Sequence, residues 1–178
     1  MAEDAGATYY FHYMPYPGNV SGFGNFLMID NDYKVVGYPP QYIAAQLITK
    51  EWVQPIDAPH KQFKAASDVN DAAGHMLVTA YAVERPDGQW AVMLVNRDQS
   101  NDHAVKIAFD AGRTQRHFTG QVDRITFGSG EYQWHQEGVR GHAGPDGPPS
   151  KSMVQGGPDA LYQVPKASIT ILRGKMSQ

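Results

Sequence analysis

The stretch YAVERPDGQWAVMLVNRD, residues 81–98, contains two runs rich in apolar residues on either side of Arg85-Pro86-Asp87-Gly88. Proline fixes φ at the first central position of a tight turn, aspartate hydrogen-bonds back to the backbone, and glycine accepts a positive φ angle. This turn chemistry between two apolar runs predicts a β-hairpin.

Side chains of the second run should cover both faces of the hairpin, because successive residues of a strand project to opposite sides. Both sets are apolar: one is Trp90, Val92 and Leu94, and the other is Ala91, Met93 and Val95. We therefore expect other elements to pack on both faces of this strand.

Composition extends this prediction to the whole chain. The 178 residues are 42% hydrophobic, which is enough for one sizeable core, and the 18 glycines and 12 prolines favour short strands joined by turns. The predicted fold is mainly β, an antiparallel β-sandwich with one N-terminal helix. The candidate strands are residues 61–66, 75–84, 89–96, 103–110, 116–127, 131–136, 151–155 and 166–173.

The segments outside these strands have distinct patterns. Residues 41–52, QYIAAQLITKEW, follow two prolines and predict a helix of about three turns. The aromatic run at 7–16, ATYYFHYMPY, predicts a buried strand. Residues 135–157 are poor in apolar side chains and rich in glycine and proline, so they predict a long surface loop.

Charge and residue usage exclude several classes of protein. The net charge is −3 and Lys and Arg are scattered, so we expect no nucleic-acid partner. Cysteine is absent, which excludes disulfides and thiolate metal sites but leaves the compartment open. The N-terminus lacks the pattern of a signal peptide, and no apolar run of about 18 residues predicts a membrane span.

The order of these elements carries a resemblance to a known family. An aromatic strand, the helix segment YPPQYIAAQLITKEW, the hairpin VTAYAVERPDGQWAVMLVNRD and a closing VPKASITILRG follow one another. The chain resembles the C-terminal end of clan A retaining glycoside hydrolases, in particular the β-xylosidase and α-L-iduronidase family, with α-L-arabinofuranosidases more distant. The resemblance implies that residues 1–55 are the end of a (β/α)₈ barrel and residues 56–178 a β-sandwich domain.

The motifs behind this resemblance are structural. Asn96, at the end of the second hairpin strand, is suited to bond backbone groups. Pro165 and Ser168 are placed to return the closing strand to the sheet.

The resemblance also implies a function without catalysis. Retaining glycosidases need two positioned carboxyl groups, which the family carries on its fourth and seventh barrel strands, upstream of Met1 in this numbering. We therefore expect a non-catalytic accessory domain of a glycoside hydrolase that binds plant-type oligo- or polysaccharide.

Carbohydrate binding needs an aromatic ring beside polar groups, since the ring lies against the apolar face of a sugar. In the alternating segment EYQWHQ, Tyr132 and Trp134 share a predicted face, and Glu131, Gln133 and His135 lie beside them. This group is the predicted carbohydrate-binding site, with Tyr162 as a further candidate aromatic. Tyr132 and Trp134 are a stacking platform if their face meets solvent, and core if it does not.

Two other functions stay open. One is a small carbohydrate-active enzyme, hydrolytic or metal-dependent, whose site would be sought among His12, Glu131, His135, Glu137 and His142. A metal held by His135, Glu137, His142 and Asp146 is disfavoured because their spacing matches no metal motif, so neither metal nor cofactor is predicted.

The other open function is an interaction module. The aromatic segment 7–16 would mediate assembly, with a homodimer as one form, since so apolar a patch seldom stays exposed.

Overall fold

The computed structural model describes residues 28–110, 112, 114–138 and 140–177. The predicted strand at 7–16, His12 and the predicted dimer surface lie outside the described residues.

A helix precedes most of the strands. It comprises α1 (Pro40–Gln46) and a π-helical turn (Leu47–Trp52) that continues it without a break. The described residues form fourteen strands: β1 (Met28–Ile29), β2 (Val35–Gly37), β3 (Lys61–Phe63), β4 (Val78–Glu84), β5 (Trp90–Asn96), β6 (His103–Lys106), β7 (Phe109–Asp110), β8 (Gln115–Arg116), β9 (Phe118–Gly128), β10 (Tyr132–Glu137), β11 (Arg140–Asp146), β12 (Ser150–Gln155), β13 (Leu161–Val164) and β14 (Ser168–Met176).

One large sheet organises these strands. Its order is β12-β9-β14-β5-β4-β3, and every pairing within it is antiparallel. The closing strand β14 lies at the centre, with Ile171 opposite Met93 on one side and Ile125 on the other. Two-stranded ribbons complete the topology: β1-β2, β6-β13, β7-β8 and β10-β11.

The structure confirms the hairpin between residues 81 and 98. Glu84 of β4 pairs with Trp90 of β5, and the turn between them closes with Gly88 N donating to Arg85 O at 2.9 Å. Gly88 has a φ of +75°, and the Asp87 carboxylate accepts a 3.0 Å bond from Gln89 N. Asp87 and Gly88 therefore have the roles that their chemistry predicted.

Both faces of β5 are covered, as the two apolar sets predicted. Val92 and Leu94 pack against ribbon residues that include Val105 and Val164. Ala91 and Met93 pack on the opposite side, where they meet the helix. The six-stranded sheet thus lies between a helix and a layer of short ribbons, which confirms a mainly β antiparallel fold with one helix.

The helix confirms the prediction for residues 41–52, but its second half is wider than an α-helix. Val53 N donates to Ile48 O at 3.1 Å, a bond that spans five residues. Leu47 and Trp52, also five residues apart, are both buried against the sheet, whereas an α-helix would set them about 140° apart. No helix in the described ranges is long and apolar enough to span a membrane.

The prediction of a surface loop at 135–157 is wrong, whereas the candidate strands at 131–136 and 151–155, which overlap its two ends, correspond to β10 and β12. β10 and β11 form an antiparallel ribbon in which His135 lies opposite His142. β12 joins the large sheet beside β9, from Ser150 opposite Thr126 to Gln155 opposite Gln121. The sequence of β11 resembles a loop because most of its described side chains face solvent, so it lacks the apolar alternation by which a strand is recognised.

Candidate functional site

The predicted carbohydrate-binding residues lie on the β10-β11 ribbon and the turn before it. The base of this ribbon is fastened by Gly147 N, which donates to Glu131 O at 2.7 Å. The Glu131 carboxylate accepts a 2.9 Å bond from Gly128 N, and the Gln133 amide donates to Ser129 O at 2.9 Å. Glu131 and Gln133 therefore hold the turn in shape, and each keeps one side-chain oxygen that accepts no bond from the described residues.

Trp134 lies against the backbone of the facing strand. A Cβ atom added to Gly141 would stand 2.5 Å from the Trp134 Cζ2 atom, so only glycine leaves room for the indole there. Trp134 Nε1 donates a 2.8 Å bond to the Gln136 side chain, which fixes the rotation of the ring. Trp134 is half-buried, with the six-membered part of its indole against Gly141.

Tyr132 contacts a different neighbour. The pairing register shifts between Tyr132 and Trp134, and the Tyr132 ring lies 6.1 Å from that of Phe127, next to the core under the helix. Burial, with a smaller contribution from Asp146, raises the pKa of the Tyr132 hydroxyl. Tyr132 also lines a cleft of about 870 Å³ between the start of α1 and the ends of β5, β9 and β14.

The remaining predicted residue, His135, projects to the ribbon face opposite Trp134. Its ring stacks on that of His142 at 5.4 Å, and its Nε2 lies 2.8 Å from Gly144 O. His142 Nδ1 lies 3.3 Å from the Glu137 carboxylate, in an exposed pair of the kind that contributes little stability. In the described part of the chain, no three His, Asp or Glu side chains are grouped to hold a metal ion.

Tyr162 is not available to a sugar. It is 2% exposed, and within the described part of the chain its hydroxyl has no hydrogen-bond partner. Burial raises the pKa of this hydroxyl. The candidate was wrong because β13, which was not among the predicted strands, pairs with β6 and turns the ring into the core.

A buried arginine that sequence reasoning missed joins the helix to the sheet. Arg85, in the β4-β5 turn, is 6% exposed and donates to the carbonyl oxygens of Glu51 at 2.7 Å and Val53 at 3.1 Å. Its guanidinium also pairs with Asp87 at 3.1 Å. The last carbonyls of a helix lack internal partners, and a cation is favourable there. Arg85, in the β4-β5 turn, therefore caps the C-terminal end of the helix.

A second contact ties the same helix to β14 and β12. The Glu51 carboxylate lies 3.0 Å from Arg173 Nη1 and 2.6 Å from Lys151 Nζ. Burial by itself raises the pKa of Glu51, but the bonds and charges of Lys151 and Arg173 outweigh it and hold the pKa below the ordinary 4.5. The ionised Glu51 carboxylate thus ties the helix to β12 and β14.

The fold defines a mainly β protein with one helix on its large sheet, and the β10-β11 ribbon carries Trp134. No protein-family model matches the sequence, and no curated protein is similar to it.

Solved structures similar to parts of the chain include two glycoside hydrolases. One is the family 51 α-L-arabinofuranosidase from Thermotoga petrophila RKU-1, with 10% identity and a TM-score of 0.38 over 57% of this chain and 20% of that enzyme. The other is a family 30 endoxylanase from Clostridium papyrosolvens C71, with 16% identity and a TM-score of 0.44 over 83% of this chain and 30% of that enzyme. The chain thus spans less than a third of either enzyme, and similarity at this level does not assign an activity.

Proposed function

We propose that the chain is a non-catalytic accessory part of a glycoside hydrolase that contacts plant-type polysaccharide through the β10-β11 ribbon. In this proposal residues 1–55 form the end of a catalytic barrel and residues 56–178 the β-sandwich domain beside it. The resemblance in the order of elements and in the hairpin and closing-strand motifs supports this division. The sandwich then positions the barrel and adds a sugar contact outside it.

The observation that carries the scaffold role is the fastening of the helix to the sheet. Leu47 and Trp52 bury their side chains on the sheet, Arg85 caps the helix end, and Glu51 bridges to Arg173. Apolar packing combined with partly buried charged contacts resists sliding and rotation of the helix. A domain that holds the last helix of a barrel in place needs such a junction.

The fixed position of the Trp134 side chain supports the sugar contact. The indole packs against Gly141 and its Nε1 group is already bonded, so binding does not have to immobilise a free indole. In this proposal a pyranose stacks on the exposed part of the ring, while the side-chain oxygen of Gln133 or the second carboxylate oxygen of Glu131 accepts a hydroxyl hydrogen bond.

Retention on insoluble xylan and cellulose tests the sugar contact. Trp134→Ala should weaken binding about tenfold, which corresponds to about 1.4 kcal/mol, because it removes the aromatic surface. Tyr33→Ala is the matched control, since Tyr33 is 71% exposed on the β1-β2 hairpin, outside the ribbon. Equal retention of the folded Trp134→Ala variant and the wild type would refute the sugar contact.

The genomic reading frame upstream of the Met1 codon tests the accessory role separately. An in-frame (β/α)₈ barrel with glutamates at the ends of two strands would support it. A stop codon and promoter directly upstream would refute it and leave the sugar contact to be judged by retention alone.

A further inference from the structure

A second cleft, distant in sequence from the ribbon, opens at the β3 edge of the sandwich. It has a volume of about 550 Å³, within the range of small-molecule sites. Its floor is the large sheet, where Ala80, Ala82 and Val92 lie, and its far wall is the segment 106–110 that links β6 and β7. Among the residues that the structure describes, the cleft is therefore a part of the sandwich interior that the short ribbons leave uncovered.

Aromatic rings form one side of this cleft. The Phe63 and Trp90 rings lie 4.6 Å apart and tilted by 37°, and Trp90 meets Phe109 edge-on at 5.1 Å. Phe63 is 39% exposed at the mouth. From Phe109 the contacts continue inward to Phe118 at 5.1 Å, so the rings are held by the core and keep their positions without a ligand.

Small side chains account for the open volume. Alanines line the cleft on both the sheet and the loop sides: Ala65, Ala66, Ala80, Ala82 and Ala108. Larger residues at these positions would fill the space and bury more apolar surface, which is what a closed core favours. The alanines therefore leave a space beside the aromatic rings that is accessible to a flat molecule.

The mouth of the cleft carries an excess of positive charge. Lys64, Lys106 and Arg116 line it, against one carboxylate, Asp110. Lys106 pairs with Asp159 at 3.0 Å, but across the described ranges neither the Lys64 nor the Arg116 side chain has an ion-pair or hydrogen-bond partner. Two unpaired cations beside an apolar slot are complementary to a molecule with a flat apolar body and an anionic end.

We propose that this cleft binds a small aromatic carboxylate. The ring of the ligand enters between Phe63, Trp90 and the alanine floor, and its carboxylate stays at the mouth beside Lys64 and Arg116. The aromatic wall supplies offset or edge-on ring contacts, and the guanidinium accommodates a carboxylate in its planar geometry. This site is independent of the ribbon and of the proposed sugar contact.

Calorimetric titration of the whole chain with cinnamate, and with cinnamyl alcohol as the uncharged analogue, tests the proposal. Cinnamate should bind with a dissociation constant on the order of 1 mM or below, since ligands of this size gain limited energy per atom. The alcohol should bind about fivefold more weakly because it lacks the charge that the mouth attracts. Equal affinity for the two compounds would overturn the carboxylate assignment.

Two kinds of variant locate the site. Ala66→Phe fills the cleft from an exposed position and should weaken cinnamate binding about tenfold or more, whereas Ala104→Phe, on exposed β6 outside the cleft, should leave it unchanged. Ala108→Phe repeats the filling test should Ala66→Phe fail to fold. The double variant Lys64→Gln/Arg116→Gln should bind cinnamate and the alcohol equally. Unchanged binding in the folded filling variants, or no saturation up to about 10 mM cinnamate, would overturn the proposal.

Discussion

Arg85 Nη1 lies 2.7 Å from the carbonyl oxygen of Glu51, across 34 residues of sequence. The turn that joins β4 to β5 is thereby also the cap of the helix on the other side of the sheet. Asp87, in the same turn, pairs with this guanidinium at 3.1 Å. The turn therefore orients the Arg85 side chain toward the end of the helix. The hairpin thus supplies two adjacent strands of the sheet and also anchors the helix.

Replacement of Arg85 should be among the more destabilising single changes in the chain. Arg85→Met leaves the carbonyls of Glu51 and Val53 without their donor and should lower the free energy of unfolding by about 2–4 kcal/mol. Urea denaturation followed by circular dichroism measures the effect. Lys61→Met is the control, because Lys61 pairs with Glu84 in an exposed contact worth less than about 1 kcal/mol. A similar loss in both variants would contradict the cap.

Asn96 should not tolerate a carboxylate. Its amide nitrogen donates to the carbonyls of Asn101, Val164 and Pro165 at 2.9–3.1 Å, and the residue is 2% exposed. Asn96→Asp sets a buried negative charge against those oxygens and should cost about 3 kcal/mol or more at neutral pH.

Protonation supplies a check on that result. Because a neutral carboxyl group can donate, the Asn96→Asp variant should regain stability relative to the wild type as pH falls toward 5 or below. Asn70→Asp, at an exposed position that bridges to Met76, is the control and should change stability little. A pH-independent loss for Asn96→Asp would show that the variant fails for another reason.

Asp98 should make the stability of the protein depend on acid pH. Bonds from Ser100 N, Asn101 and His103 lower the pKa of its carboxyl from 3.8 to about 2. A folded-state pKa below the unfolded value means that this stabilisation is present above about pH 3.8 and is lost as pH falls toward 2. In urea midpoints from pH 6 to 2, Asp98→Asn should be less stable than the wild type at pH 6 and approach it at pH 2. A constant gap between the two would contradict the assignment.

Gly141→Ala should displace the indole of Trp134. The added Cβ would lie 2.5 Å from the ring and 2.6 Å from His135 O, so either the ring or the ribbon must move. We expect a changed tryptophan emission spectrum, a loss of about 1–3 kcal/mol, and weaker retention on xylan. Gly144→Ala lies in the same strand, where its nearest contact would be an ordinary 3.6 Å, and should have little effect. Matching spectra for Gly141→Ala and the wild type would contradict the ring position.

The purified chain should not hydrolyse aryl β-xylosides or aryl arabinosides. Double displacement needs a positioned nucleophile and a separate acid/base group. Glu131 is bonded to Gly128 N and Glu137 to an exposed His142, on a ribbon outside the core. Turnover that survives repeated purification and disappears in Glu131→Gln or Glu137→Gln would instead establish a small enzyme.

Local features of the sequence were sufficient to predict the hairpin, the helix and the covering of β5 on both faces. The turn Arg85-Pro86-Asp87-Gly88 and the alternation from Trp90 to Val95 act over a few residues, where backbone geometry alone sets side-chain direction. The roles of Asn96 and Ser168 were readable for the same reason. Each bonds backbone groups around the junction of β5 and β14, with Ser168 Oγ donating to Pro165 O at 2.6 Å.

Contacts between distant segments were decided by the tertiary structure alone. Nothing near Arg85 indicates that the carbonyls of Glu51 and Val53 lie within reach of its side chain. The exposed strand β11 has no apolar alternation, so its pairing with β10 was not predicted. The residues around Tyr162 do not indicate whether its ring faces solvent or the core. The pairing of β13 with β6 decides this and turns the ring inward. The cleft beside Trp90 likewise exists because separate segments meet there without filling it, and the space left between packed elements is a property of their assembly that no single segment encodes.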